Sequence, residues 1–393
     1  MPFLKTSSAE SQRELNRTTI MRLLRQHGRL ARVELGVLAG LSPATVTAIT
    51  RKLLSEQLIR EVDEGPADEA GRGRPRVRLE VNGQAGYLLI LVIRSGQGRW
   101  SLVDFAGHVL EQTPASIASG DRAGQQLTEG LCADITRLLG FHGLPTQRLL
   151  GIGICLHGLL DCAEGRVLWS PALELHNVAV AGPLREAFKC PVSLVSEADA
   201  ITLAVSGLPD CRNLREFACL HLGEDGIGMG LVLAGALYNN RYGFAGEFGH
   251  LKYPLAQHLR CRCGADGCIE TLVSGWALRR DLGDKLPDAA CPEQGDKAAR
   301  EWFERAGRVI GTGIGHVINL LAPERVILCG PLAEYFRWFS PPMRDELRRQ
   351  VLKPEKAGTA VTALSLPDEC TVRGAIAYTL SGGHAARTQA ALR

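Results

Sequence analysis

Apolar residues recur with a helical period near the start of the chain. Leu15, Ile20, Leu23 and Leu24 form one stripe, which predicts a helix over 13–27. A second, short helix fits Arg32 to Ala39, and Gly40-Leu41 supplies a tight turn. Ser42 is a good N-cap and Pro43 suits the first helical position, so a third helix runs to about Glu56. Within it Val46, Ile49 and Leu53 share the face that packs inward. A strand at Leu58–Val62 follows, then an acidic loop with Gly and Pro from Asp63 to Gly71. The next run, GRGRPRVRLEV, ends at Val81 in strand-like alternation. Helix, helix, turn, helix, strand, loop, strand is the order of a winged helix-turn-helix.

After about Asn82 the texture changes to apolar strands and glycine-rich turns. Strands are expected at 87–93, 100–104, 150–155, 192–195, 217–222, 229–234 and 325–329. Helices are expected at 124–139, 183–188, 198–205, 275–283 and 297–320. Their alternation predicts an α/β fold. A segment of this length is large for one core, so two lobes with a cleft are expected. The pattern divides the chain into a DNA-binding unit, 1–82, and an effector unit, 83–393, with no internal repeat visible in the sequence.

Composition changes this picture little. Of 393 residues, 45% are hydrophobic and 22% charged, an ordinary globular mix. The apolar run Tyr87–Ile93 is too short to span a bilayer, and the N-terminal residues lack the apolar stretch of a secretory signal, so a cytoplasmic protein is expected. Charge adds more. Residues 1–82 carry 14 Lys/Arg against 10 Asp/Glu, whereas the rest is nearly balanced, which suits a polyanion partner at that end.

A helix-turn-helix reads DNA with its second helix in the major groove. That helix presents Ser42, Thr45, Thr47, Thr50, Arg51 and Lys52 as candidate contacts. Small hydroxyls allow close approach, and Arg or Lys reach bases or phosphates. Arg72, Arg74, Arg76 and Arg78 form a basic arm suited to a minor groove or the phosphate backbone. A three-helix packing module without DNA is the bland alternative, and the wing counts against it.

Twelve cysteines in a chain expected to stay in the cytoplasm argue against a disulfide framework. Nine are scattered, several in apolar surroundings, and read as buried thiols. Cys261, Cys263 and Cys268 are clustered, and His250 precedes them. One imidazole and three thiolates suit a closed tetrahedral structural zinc site, and four strong ligands leave no open catalytic position.

The run Gly246-Glu247-Phe248-Gly249-His250, followed by Cys261 to Glu270 as C-x-C-G-x-x-G-C-x-E, resembles the signature of the ROK family (repressors, open reading frames and sugar kinases). The resemblance covers the whole chain, including the helix-turn-helix of the family's repressors. It implies an actin/hexokinase-like two-lobed domain, a zinc site that braces the sugar-contacting segment, and homodimers or dimers of dimers. It also implies that Glu247, His250 and Glu270 meet sugar hydroxyls, with His250 serving the metal first and with a place at the surface or beside the zinc ligands as the alternative for the two carboxylates, Glu270 above all.

Other positions depart from the family's kinases. Their D-x-G-x-T phosphate loop falls on Val92, Arg94 and Gly96, so acid, glycine and threonine are all replaced. The stretch Gly223–Gly230 keeps glycines but sets Glu224 and Asp225 where phosphates would lie. The kinases' N-D-x-N motif becomes Ser196-Glu197-Ala198-Asp199, with Glu197 at the base and Ser196 at a sugar-binding Asn. A further sugar-binding Asn becomes Ala172, with His176 and Asn177 as nearby alternatives. The expected function is therefore a non-enzymatic, sugar-modulated repressor that binds palindromic operator DNA as a dimer. An ATP-dependent sugar kinase and a zinc-sensing regulator are the rival readings. The changes at Ser196, Glu197 and Ala172 open the effector to pentoses, modified hexoses or polyols.

Overall fold

The computed structural model describes residues 9–62, 77–117, 123–238, 245–283, 296–353 and 358–382. The chain opens with helix α1 (Ala9–His27), a two-residue strand β1 (Leu30–Ala31) and helix α2 (Arg32–Ala39). Glu34 reaches back to accept from the Ala31 N–H at 2.7 Å, which caps α2. Gly40, at φ 65°, ends it in the left-handed conformation. Helix α3 (Pro43–Ser55) starts as its sequence predicts, with the Ser42 hydroxyl accepting from the Thr45 N–H. Strands β2 (Ile59–Val62) and β3 (Arg78–Val81) then complete a small sheet in the order β1-β3-β2. Ile20, Leu24, Leu35, Val46, Leu53, Ile59 and Leu79 form the core of this unit. Leu15 is not among them: at 59% exposure it stands outside the predicted stripe.

The rest of the chain builds the same sheet twice, although no repeat is visible in its sequence. Strands β4 (Tyr87–Arg94), β5 (Gln97–Asp104) and β6 (Val109–Ala115) are antiparallel neighbours. Helix α4 (Ala123–Phe141) leads to β7 (Leu149–Leu156), which runs parallel to β4. A three-stranded flap follows, made of β8 (Leu159–Asp161), β9 (Arg166–Ser170) and β10 (Leu175–Ala179). Helix α5 (Ala181–Phe188) and strand β11 (Val192–Ser196) close the first sheet in the order β11-β7-β4-β5-β6. After helix α6 (Glu197–Ser206), strands β12 (Phe217–Leu222), β13 (Ile227–Leu233) and β14 (Ala236–Tyr238) form a second antiparallel trio. The short helices α7 (Glu270–Val273) and α8 (Gly275–Leu282), the long α9 (Lys297–Leu321), strand β15 (Arg325–Cys329), helix α10 (Phe336–Gln350) and strand β16 (Ala360–Ala363) follow. The second sheet reads β14-β13-β12-β15-β16. Numbered within each half, both sheets have the order 3-2-1-4-5. This is the two-lobed actin/hexokinase-like arrangement.

Central strands are buried on both faces, which is why they read as unbroken apolar runs. Along β4, Leu89, Leu91 and Ile93 face the core beneath α4 and α5, whereas Leu88, Ile90 and Val92 face the last helix, α11 (Glu369–Leu380). Helices α6 and α11 cross between the lobes. They pack so closely that a Cβ at Gly374 would lie 1.7 Å from the Ala200 carbonyl oxygen.

The predicted strands and helices of both lobes are all present, with ends that coincide or differ by one to three residues. Unforeseen elements include β6, the flap, α10 and α11. Helix α10 carries Pro341 and Pro342 in its interior, the usual mark of a helix boundary.

Candidate functional site

The signature cysteines fold into a tight knot. Isolated bridges pair Lys252 with Cys268 and Arg260 with Asp266, which brings the ends of the C-x-C-x₄-C run back on themselves. His250, Cys261, Cys263 and Cys268 then place their ligand atoms within 4.8 Å of one another. Cys263 Sγ lies 3.7 Å from Cys268 Sγ, and Cys261 Sγ lies 3.8 Å from His250 Nδ1. Tetrahedral zinc with Zn–S of ~2.3 Å sets sulfur atoms roughly 3.8 Å apart, so the donor set and its spacing fit such an ion. The cluster can hold a metal. Lys252 Nζ donates to Cys268 Sγ at 3.1 Å and is itself pushed up by that contact.

His250 joins this knot to a cleft between the lobes. Its Nδ1 faces the thiols, while its Nε2 lies 3.7 Å from Glu247 Oε2. Gly246, at φ 83° and pressed against the Met229 carbonyl, turns the chain so that Glu247 reaches the cleft. The cavity there is about 470 Å³. Ser196, Glu197, Asp199, Glu247 and His250 line its polar side. Ser196 also caps α6, its hydroxyl accepting from the Asp199 N–H at 3.1 Å. Removal from bulk water inside the cleft, with the carboxylates of Glu270 and Asp199 adding, pushes Glu247 up to about 7.

Glu270 departs from its expected place. It is 3% exposed and lies beneath Gly226 and Gly249. Its Oε1 stands 2.8 Å from Cys261 Sγ and 3.9 Å from His250 Nδ1, so it faces the knot and does not line the cleft. The proposed substitutes for the lost Asn also fail. His176 and Asn177 lie exposed on β10, where Asn177 accepts from Arg166, and Ala172 sits by the Gly96 turn. His157, Trp169 and Asp199 line the cleft and were not singled out by the sequence. Only Asp199 carried a signal, as the last residue of the S-E-A-D stretch.

A second cavity, of about 310 Å³, occupies the neighbouring position where the resemblance places the nucleotide. Its walls carry the carboxylates of Glu197, Glu224, Asp225, Glu334 and Asp368 and the guanidinium of Arg94, while Arg279 and Arg262 pair with Glu224 and Asp225. Arg94 ion-pairs with Glu197, donates to Thr371 Oγ1 and lies 3.5 Å from Asp368. Burial disfavours its charge, but Glu197 outweighs this and raises Arg94 above its usual value. The Ser95 N–H and hydroxyl both donate to Asp225 Oδ2, at 3.1 and 2.7 Å. The two turns that would cradle phosphates are thus bonded to each other across the lobes.

On α3, Ser42, Thr47, Arg51 and Lys52 are exposed and Thr45 is half-buried. Thr50 corrects the sequence reading. It is fully buried, donating to the Val46 carbonyl and accepting from Arg32 Nε, because it lies on the same face as Val46 and Leu53. Ala44 and Ala48 take its place on the outward face with Thr47 and Arg51. Arg78 is also drawn inward: its Nη1 donates to the Arg29 carbonyl at 3.1 Å and lies near Glu34, so it braces the sheet. Arg72, Arg74 and Arg76 lie outside the described residues.

A DNA-binding winged helix-turn-helix model matches residues 14–60, and the ROK family model matches residues 99–381. The transcriptional dual regulator NagC of Escherichia coli K12 is 26% identical over 382 residues, covering 93% of this chain and 92% of NagC. A crystal structure of a ROK family transcriptional regulator, described as a homologue of the E. coli MLC protein, superposes with a TM-score of 0.77 at 27% identity. It covers 95% of this chain and 97% of that one. A ROK glucokinase from Streptomyces griseus shares the fold of the C-terminal part, with a TM-score of 0.59 at 22% identity over 74% of this chain and 98% of its own. The paired lobes, the His/Cys knot beside the cleft and the matched span together make this chain a member of the ROK family, with a winged helix-turn-helix joined to the family's domain.

Proposed function

We propose that the chain is a cytoplasmic transcriptional repressor of sugar-metabolism genes, with residues 1–82 reading operator DNA and residues 83–393 sensing a sugar. The reading is carried by one observation: a helix-turn-helix is fused to a kinase-like domain whose phosphate turns are closed by Arg94–Glu197 and Ser95–Asp225. The region carries five carboxylates, and Glu197 pairs with Arg94, Asp225 with Arg262 and Glu224 with Arg279, so none of these arginines is left free to receive a polyphosphate. The chain therefore binds its sugar without phosphorylating it.

Zinc is the ion we assign to His250, Cys261, Cys263 and Cys268, where it cross-links the loop. Glu270 is buried beneath the knot, and His250 presents Nε2 to the cleft beside Glu247. In the cleft, Ser196, Glu197, Glu247 and His250 exchange hydrogen bonds with sugar hydroxyls, which need both donors and acceptors at fixed angles. A sugar bound more tightly by one arrangement of the lobes shifts the population toward it. The DNA-reading unit feels that shift through β5. One end of β5 follows the Ser95 turn, and the other leads into Phe105, which packs against the core of the winged helix unit. In a homodimer, or a dimer of dimers, this changes how two heads meet two half-sites.

The test is fluorescence anisotropy with operator DNA selected from the genome, in low and high salt, with and without a sugar panel, alongside ADP release. Salt-sensitive binding that one sugar alters, with no ADP release, supports the reading. Robust ADP release would instead identify a kinase, and no DNA binding in any condition would sink the repressor.

A further inference from the structure

The sugar cleft has two unlike sides. Its polar side is described above. The opposite side is formed by Leu159, Leu160, Cys162 and Trp169 of the flap, with Met229 of β13 facing them from the second lobe. Leu159 and Trp169 are cross-strand partners in the flap, so their side chains share one face. The Trp169 ring meets the His250 ring edge-on, 6.2 Å between centroids, which sets the indole at the border of the two sides.

A bare monosaccharide is a poor match for this cleft. It carries hydroxyls around its whole rim, and Leu, Met and Cys side chains offer them no adequate partner. Pressing hydroxyls against such a surface removes their water without replacing it. One C–H face of a sugar can stack on Trp169, but it leaves the aliphatic wall beyond the indole uncovered. A cavity of about 470 Å³ also falls in the range, roughly 300–1,000 Å³, that encloses ligands well above monosaccharide size. An apolar group attached to the sugar meets both conditions, because it covers the wall and stacks on the indole.

We infer that the effector is a sugar carrying an apolar substituent, an aryl or alkyl glycoside, whose aglycone packs on Trp169, Leu159 and Met229. This rests on the sugar-sensing reading above. The glycone's hydroxyls meet Ser196, Glu197, Glu247 and His250, and the glycosidic bond spans the border at Trp169. No bond is made or broken.

The test is titration calorimetry on the full-length chain. Free glucose, galactose, xylose and N-acetylglucosamine are compared with their methyl, isopropyl and phenyl β-glycosides. We expect at least one sugar whose phenyl or isopropyl glycoside binds about tenfold or more tightly than the free sugar, with the methyl glycoside between. The phenyl and isopropyl arms separate aryl from alkyl preference. Because this series uses the unaltered chain, it stands even if a variant misfolds. In Trp169→Leu, checked for folding by its unliganded melting curve, the ratio between phenyl glycoside and free sugar should collapse. Free sugar binding as tightly as every glycoside overturns the inference and leaves sugar sensing standing. Persistence of the full ratio in Trp169→Leu overturns the assigned wall. Binding of none of these ligands overturns both readings.

Discussion

The guanidinium of Arg25, on α1, lies 4.7 Å over the ring of Phe105, at the turn after β5, and Arg25 Nε donates to that residue's carbonyl at 3.3 Å. Burial lowers Arg25 to about 10, with Asp104 opposing the shift, so this cation is held inside a junction. Replacing Arg25 with Ala removes the stacked charge and its hydrogen bond, a loss of about 1–2 kcal/mol at the contact. DNA affinity in Arg25→Ala should then respond less to effector than in the parent chain. Anisotropy titrations of both proteins, with and without the active sugar, measure that coupling. An unchanged response would remove this contact from the route.

Arg94 and Glu197 should behave as one unit. A double-mutant cycle with Arg94→Ala and Glu197→Ala, read by thermal denaturation, should show a coupling of about 1–3 kcal/mol. The single Arg94→Ala change leaves a carboxylate facing a cleft already rich in acids, so it should destabilise more than the double variant. ADP release should remain absent in all four proteins, because Asp225 and Ser95 still close the second turn.

Metal removal should loosen the cleft from one side. Elemental analysis should find about one zinc per chain. Prolonged chelation, or Cys268→Ser, should lower the melting temperature and weaken sugar binding by tenfold or more, since His250 loses the anchor that aims Nε2 at Glu247. Full sugar affinity in metal-free protein would contradict the bracing role.

Acid should attack the DNA-reading unit through two carboxyls. A hydrogen bond from Arg17 holds Glu56 below its ordinary 4.5. Burial pushes Glu80 upward, but hydrogen bonds from Arg29 and Arg60 outweigh it, and Glu80 also ends below 4.5. A depressed carboxyl contributes stability that is complete above its unfolded value and disappears as pH falls through the folded value. The unit should therefore weaken as pH drops below 4.5, only modestly because both pairs touch solvent. Circular dichroism melts from neutral pH down to 3 should show a shallower decline in Glu80→Gln than in the parent chain.

Substitutions on α3 should separate into two kinds. Arg51→Ala should cost about 1–3 kcal/mol of operator binding, seen as roughly 5- to 150-fold weaker affinity at fixed salt. Thr50→Ala should instead lower the melting temperature, because it removes the oxygen that accepts from Arg32 inside the unit.

Legibility in the sequence followed the range of the interactions. The α3 start was readable because Ser42, Pro43 and Thr45 are neighbours and the cap is local. The knot was readable because three thiols fall within eight residues. Thr50 was misplaced because a hydroxyl beside an apolar stripe reads as surface, whereas here it donates to the Val46 carbonyl and accepts from Arg32 inside the unit. The duplicated lobes left no trace, since topology is preserved by strand order and not by residue identity. Trp169 reaches the cleft from the flap, whose short strands lack a period long enough to read, and His157 from the turn between β7 and the flap. The loss of the phosphate loop was legible at Arg94. That the arginine seals the gap by pairing with Glu197, 103 residues away, required the fold.

Strand β5 has eight residues, about 26 Å of extended backbone at ~3.3 Å per residue. It is hydrogen-bonded along both edges, without interruption to β4 and with one register shift against β6 between Leu102 and Val103, so the β4 ladder is the one that resists stretching. Such a strand works as a pushrod. In the proposed coupling, a tilt imposed where Ser95 grips Asp225 would be carried along this strand toward Phe105, under the helix that carries Arg25. On this reading the distance between the proposed sugar site and the DNA-reading helix is spanned by a paired strand, and the coupling calls for no flexible tether.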